Sequence, residues 1–192
     1  RRQGTFGEMI MRRRTMLTLA SGMAACHTAG LAQANVVVEI EMKGTPRGER
    51  IWFDPIGVAV SPGTRIRFVN RDPGNSHTAT SYHPASMGRV RRIPAGAASW
   101  NSGFLLPSQT FEVTLTVAGV YDYFCVPHEL AAMAGRIVVG SPQDPGWHGI
   151  SPEFDELSRQ ATRNLPLVED ILRRKKVSPH DVPTQASHGA HR

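Results

Sequence analysis

Apolar and polar residues alternate with a period of two in several short runs, the signature of strands with one face buried. Val36 to Met42 opens as an apolar run and then alternates, with Val38, Ile40 and Met42 on one face. Arg50 to Phe53 is a second short candidate strand, and Gly57 to Val60 leads into the turn Ser61-Pro62-Gly63. Thr64 to Asn70 alternates well, with Ile66 and Phe68 facing one way and Arg65, Arg67 and Val69 the other. The clearest strand is Thr110 to Val117, where Phe111, Val113, Leu115 and Val117 alternate with Glu112, Thr114 and Thr116. Gly119 turns the chain, Val120 to Cys125 forms another strand, and Arg136 to Val139 the last. Asp72-Pro73-Gly74-Asn75 is dense in turn formers, and from Tyr82 to Gly103 the alternation fades into a long excursion. Short strands separated by turn signals predict a sandwich or barrel over residues 35–140.

After Gly140 the pattern changes. Ser141 to Gly146 reads as a linker. Ser151-Pro152-Glu153 is a helix-start signal, with Ser as cap and Pro in the first helical position. A helix from there to Asn164 puts Phe154, Leu157 and Ala161 on one side. Pro166 interrupts, and a second helix, Leu167 to Val177, carries Arg173-Arg174-Lys175-Lys176 at the end where cations are favoured. Residues 178–192 form a polar tail. Residues 141–192 are thus a mostly helical extension, and their removal is expected to leave the preceding domain intact.

Charge changes the picture at the other end. The formal net charge of +6 and the 22 Lys and Arg residues suggest a nucleic-acid partner. Five of those cations fall in the first 14 positions, however, and from Asn35 onward 17 basic residues face 15 acidic ones. Only Arg89, Arg91 and Arg92 cluster in the body, so no basic face for nucleic acid is expected. The first 34 residues read as an export leader. Arg12-Arg13-Arg14 precedes an apolar stretch from Thr15 to Ala25, and Ala32-Gln33-Ala34 has the form that signal peptidase cleaves. Arg13-Arg14-Thr15-Met16-Leu17 resembles the twin-arginine motif, which exports folded proteins. Cys26, after Met23-Ala24-Ala25, is an alternative site for a lipid anchor. No other apolar run approaches the ~18 residues of a membrane span.

Cleavage after Ala34 leaves one cysteine, Cys125, which can form no internal disulfide. A lone exported thiol is either buried or ligated. Its surroundings favour ligation: Cys125 to Met133 reads C-x2-H-x4-M, bringing a thiolate, the His128 imidazole and the Met133 thioether into one loop between two strands. That soft donor set suits copper, and a second imidazole would complete two histidines and a thiolate with a weak axial thioether. Structural zinc takes four strong donors, for which a thioether is a poor substitute. His77, following the strand Thr64 to Asn70 and its turn, can supply the second imidazole; His83 is its rival. Glu129 reads as solvated, His148 as structural or exposed, and His180, His188 and His191 as part of the polar tail.

Three segments resemble the plastocyanin, pseudoazurin and amicyanin branch of the cupredoxins: Phe68-Val69-Asn70 running to His77, Gly119 to Cys125, and Pro127-His128 through Met133 to Val139. The resemblance covers roughly residues 58–140. It implies an all-β fold, an eight-stranded Greek-key β-sandwich, here with the helical extension. It also implies one type 1 (blue) copper ion and electron carriage in the periplasm or another exported compartment, without catalysis. Carried over, His77 is the early ligand, Cys125 the thiolate, His128 the partly exposed ligand and Met133 the axial group. A redox partner, a cytochrome or copper enzyme, is expected to dock near His128, where Pro127, Leu130 and Ala131 form a small apolar patch. The family often has Asn after the first histidine, where its backbone helps hold the cysteine sulfur; here it is Thr78. The competing functions are copper sequestration or delivery without electron transfer, and a catalytic copper with His83 or Glu129 near it.

Overall fold

The computed structural model describes residues 36–182. The arginine motif, Cys26, the cleavage signal at Ala34, His188 and His191 lie outside the described residues. Among the described residues nine strands form two sheets. In chain order they are β1 (Val37–Gly44), β2 (Ile51–Asp54), β3 (Gly57–Val60), β4 (Thr64–Asn70), β5 (Thr80–Ser81), β6 (Thr110–Leu115), β7 (Gly119–Phe124), β8 (Ala134–Val139) and β9 (Lys176–Val177). One sheet has the order β2-β1-β4-β6 and the other β5-β7-β8-β3-β9. The β1–β4 and β3–β8 pairs are parallel and the rest antiparallel. Parallel neighbours cannot be joined by a hairpin, so the chain crosses between sheets.

The alternation places the core. Ile40 and Met42 of β1, Ile66 and Phe68 of β4, and Phe53 of β2 are fully buried from one sheet. Tyr121 and Tyr123 of β7 and Ile137 and Val139 of β8 meet them from the other in a single cluster. Phe53 and Phe68 both pack edge-on to Tyr123, with ring centroids 4.8 and 5.2 Å away. Each such side chain contributes roughly 1.5–3 kcal/mol by leaving water.

β7 and β8 are buried along their whole length, on both faces. Their outer face is covered by the excursion and by α1 (Glu156–Thr162) and α2 (Val168–Arg174). Val168, Ile171 and Val177 pack with Ile56, Val120 and Val138, while Ala161 joins Tyr82, Phe124 and Ala134. Gly57 permits the approach of α2: a Cβ there would lie 2.7–2.8 Å from Pro166 and Ile171.

Both helices are shorter than their sequence signals. The first begins at Asp155, not Ser151, because Asp155 accepts the Ser158 backbone N–H at 2.7 Å and donates its own N–H to Ser158 Oγ at 3.0 Å, a reciprocal capping box. The carbonyls of Ser151 and Glu153 instead accept from the Arg92 guanidinium. The second helix stops at Arg174, since Lys175 adopts φ 65°, and the next two residues become β9 on the edge of β3. Among the described residues no helix is long and apolar enough to cross a membrane.

Candidate metal centre

β4 ends in Asn70, whose buried side chain ties the following loop to its neighbour. Its amide donates to the carbonyls of Asn75 (2.9 Å) and Leu105 (2.8 Å), and its Oδ1 accepts from Asp72 N–H. His77 then exchanges two backbone hydrogen bonds with Leu105, at 3.1 and 2.8 Å. The imidazole is thus fixed from its backbone outward.

The other donors come from the β7–β8 loop. Cys125 follows β7 directly, a 3-10 turn covers Val126–His128, and Met133 precedes β8. Met133 N–H donates to the His128 carbonyl, and Cys125 N–H to that of Met133, closing the loop on itself. Thr78 staples the two loops together. Its backbone N–H points at Cys125 Sγ (3.3 Å) and its hydroxyl accepts from Val126 N–H (2.8 Å). Thr in place of Asn therefore keeps the backbone donor to the sulfur.

His77 Nδ1 and His128 Nδ1 lie 3.2 Å apart, and Cys125 Sγ lies 3.6 and 3.4 Å from them. Bonds of about 2.0 Å to nitrogen and 2.3 Å to sulfur, meeting at about 120°, would separate such donors by about 3.5–3.7 Å. The cluster thus has the dimensions of one metal ion held in a triangle. It is the only group of three metal-capable His, Cys, Asp or Glu side chains that close among the described residues. His77 and Cys125 are fully buried, whereas His128 is half-buried at the rim. Met133 is fully buried in the same cluster as Cys125.

Burial pushes the Cys125 thiol up to about 11, offset in part by the donors at Thr78 and His128. Burial, followed by the neighbouring His77, pushes His128 below its ordinary value. The two shifts act in opposite directions on metal binding: the depressed His128 more readily offers a free lone pair, whereas the raised Cys125 thiol must give up its proton to become a ligand.

Three features were not legible in the sequence. Asp72 reads as a turn former, but its Oδ2 accepts from His77 Nε2 at 2.9 Å, with both residues buried. Burial opposes ionisation of Asp72, yet hydrogen bonds from Asn75, His77 and Gly74 outweigh it and hold the carboxyl below its usual range. Glu129 is buried, not solvated. Its backbone is helical, at φ −58° and ψ −44°, and its side chain forms a two-pronged pair with Arg89 at 2.7 and 3.0 Å. Phe104 and Leu106, flanking the His77 partner Leu105, are exposed, as is the expected patch member Leu130. His83 does not join the cluster; its Nδ1 accepts from Ala85 N–H within its own turn.

The fold and the donor set together describe a mononuclear, soft-ligand metal protein built on a β-sandwich. A family model described as copper binding proteins, plastocyanin/azurin family, matches residues 38–140. The chain belongs to that family, the cupredoxins. It is 34% identical over 87 residues to chloroplastic plastocyanin of Chlamydomonas reinhardtii, covering 45% of this chain and 57% of the relative. To that of Oryza sativa subsp. indica it is 31% identical over 131 residues, covering 66% and 80%. Pseudoazurin of Methylobacterium extorquens aligns in three dimensions at TM-score 0.45 and 24% identity, over 66% of this chain and 94% of the other. That of Hyphomicrobium denitrificans aligns at 0.43 and 27%, over 56% and 77%. The family's metal is one copper ion, and a thiolate with two imidazoles is a donor set that copper prefers over hard cations.

Proposed function

We propose that this protein carries single electrons between redox partners in an exported compartment, using one type 1 copper held by His77, Cys125, His128 and Met133. The observation that carries the reading is the convergence of two Nδ1 atoms and Sγ at 3.2–3.6 Å, with one imidazole at the rim. Copper, when bound, supplies the one-electron Cu(II)/Cu(I) couple. The chain's own residues do the rest. The stapled loops hold the donors in one geometry, which limits rearrangement between oxidation states. Thr78 N–H stabilises negative charge on the sulfur. Met133, buried in the same cluster as Cys125, would supply a weak thioether donor whose strength tunes the potential. Four protein donors leave no open position for a substrate.

His128 is the ligand whose edge approaches solvent. Pro127, Leu130 and Ala131 are exposed in its loop, and exposed Phe104 and Leu106 flank Leu105, the backbone partner of His77. A partner cytochrome or copper enzyme would dock on this apolar end and receive the electron through His128. Export rests on the leader pattern in residues 1–34, whether by cleavage at Ala34 or by lipidation at Cys26.

Copper loading of the purified protein should give an intense thiolate-to-copper visible band, a type 1 electron paramagnetic resonance signal and reversible one-electron reduction. Cys125→Ser should abolish the band. A band that survives this substitution would overturn the ligand set. Irreversible reduction, with copper passed intact to an apo-acceptor, would replace electron carriage by copper delivery.

A further inference from the structure

We infer that Asp72 is a positioning residue for the metal centre: it holds His77 by its Nε2–H so that Nδ1 faces the metal, and its buried charge favours the oxidised ion. The inference rests on the proposed copper centre and concerns a residue outside the ligand set.

The two oxygens of Asp72 do different things. Oδ1 accepts from Gly74 N–H at 2.9 Å, which is all that the local turn requires. Oδ2 points the other way, accepting from Asn75 Nδ2 and His77 Nε2, both at 2.9 Å. A carboxylate can only accept, so Nε2 carries the imidazole proton and Nδ1 presents its lone pair. Space for Oδ2 is made by Gly44 at the end of β1. A Cβ at that position would lie 2.0 Å from Oδ2 and 2.7 Å from Cγ, so any other residue would displace the carboxylate. Asp72 pairs with no lysine or arginine among the described residues; its one cationic-type partner is His77. Both groups are buried, so solvent and salt screen the charge weakly. A carboxylate on the far nitrogen makes an imidazole a stronger donor. A stronger donor and a nearby negative charge both favour Cu(II) over Cu(I).

Two variants of the full chain test this independently. Asp72→Asn keeps an acceptor for Nε2–H but removes the charge. Gly44→Ala leaves Asp72 in the sequence but displaces its carboxylate. At a fixed redox poise each should raise the Cu(I) to Cu(II) ratio about tenfold, about 59 mV upward for one electron. Copper(II) affinity should fall roughly 10–100-fold. In the metal-free wild-type protein, nitrogen-15 shifts should show the His77 proton on Nε2. Unchanged ratios in both variants, or a His77 proton on Nδ1 in the wild type, would overturn the inference. A wild-type protein that never turns blue would instead sink the proposed copper centre, and the nitrogen-15 result would still decide whether Asp72 orients His77.

Discussion

Two buried polar clusters in this protein follow opposite rules. At the metal centre, three electron-pair donors face one another within 3.6 Å, backed by Asp72, with no arginine or lysine among them. On the outer face of β7 and β8, Asp122 lies between Arg92 and Arg136, and every oxygen has a donor. Arg92 reaches Oδ2 at 3.0 and 2.6 Å, and Arg136 reaches Oδ1 at 2.7 Å and Oδ2 at 3.1 Å. The remaining guanidinium nitrogens donate to the carbonyls of Ser151, Glu153 and Pro166. Burial opposes ionisation of Asp122, but Arg136 and then Arg92 hold its carboxyl below the usual range. The first cluster turns its electron pairs toward a point that a single cation could occupy. The second is complete within the chain, because the excursion supplies one arginine and the extension supplies the acceptors.

The comparison is broken most severely by ending the chain at Gly140. This deletion removes the carbonyls that satisfy Arg92 and Arg136, and it uncovers Ile56, Val120 and Val138. Loss of Val168, Ile171 and Val177 alone forfeits burial worth about 1.5–3 kcal/mol each. The truncated chain is expected to be largely unfolded, as circular dichroism and urea titration would show. The ligand loop is also touched directly, since Gln160 donates to the Leu130 carbonyl at 3.3 Å. A truncated protein with wild-type stability and an unchanged blue band would show the extension to be dispensable, as its linker-like start suggests.

A narrower cut separates the two clusters. Asp122→Ala leaves two buried guanidinium groups without their anion, a change that typically costs about 3–5 kcal/mol. The loss should appear in urea unfolding of the metal-free protein. Cys125→Ser acts the other way round, removing the visible band while leaving the Arg-Asp-Arg cluster intact. If Asp122→Ala unfolds at the same urea concentration as the wild type, the cluster adds no net stability.

The same contrast explains what the sequence could reveal. Period-two alternation located β1, β4 and β6 to within a few residues, because each has one face against the common core, while β7 and β8, buried on both faces, showed only as short runs between turn signals. C-x2-H-x4-M was legible because a single loop contributes a thiolate, an imidazole and a thioether at short spacing. Asp122 and Arg136 were not legible as buried groups. In Tyr121-Asp122-Tyr123 the alternation reads as a solvent-facing charge, and its partner Arg92 is 30 residues away in a segment without periodicity. Asp72 was hidden for a related reason: Asp before Pro-Gly is sufficiently explained by a turn, and its second oxygen becomes informative only once His77 and Gly44 are seen beside it. Glu129 was misread because Arg89, its counter-ion, lies in the same excursion.

The smallest test concerns the start of α1, where the capping box replaced the expected Ser-Pro start. Asp155→Ala removes the acceptor of the Ser158 N–H and should cost about 1 kcal/mol. Burial opposes ionisation of Asp155, but the Ser158 backbone bond leads the effects that lower its folded pKa overall. A depressed folded value means that the cap contributes fully above the unfolded carboxylate range, near pH ~4, and fades as pH falls through the lower folded value. The stability difference between wild type and Asp155→Ala should therefore be constant from neutral pH to about pH 5 and shrink in stronger acid. A difference that persists unchanged at low pH would mean that Asp155 acts by packing near Arg89 rather than as a charged cap. A gap that closes would place the helix signal in Asp155 and Ser158, with Ser151-Pro152-Glu153 serving to bring backbone carbonyls to Arg92.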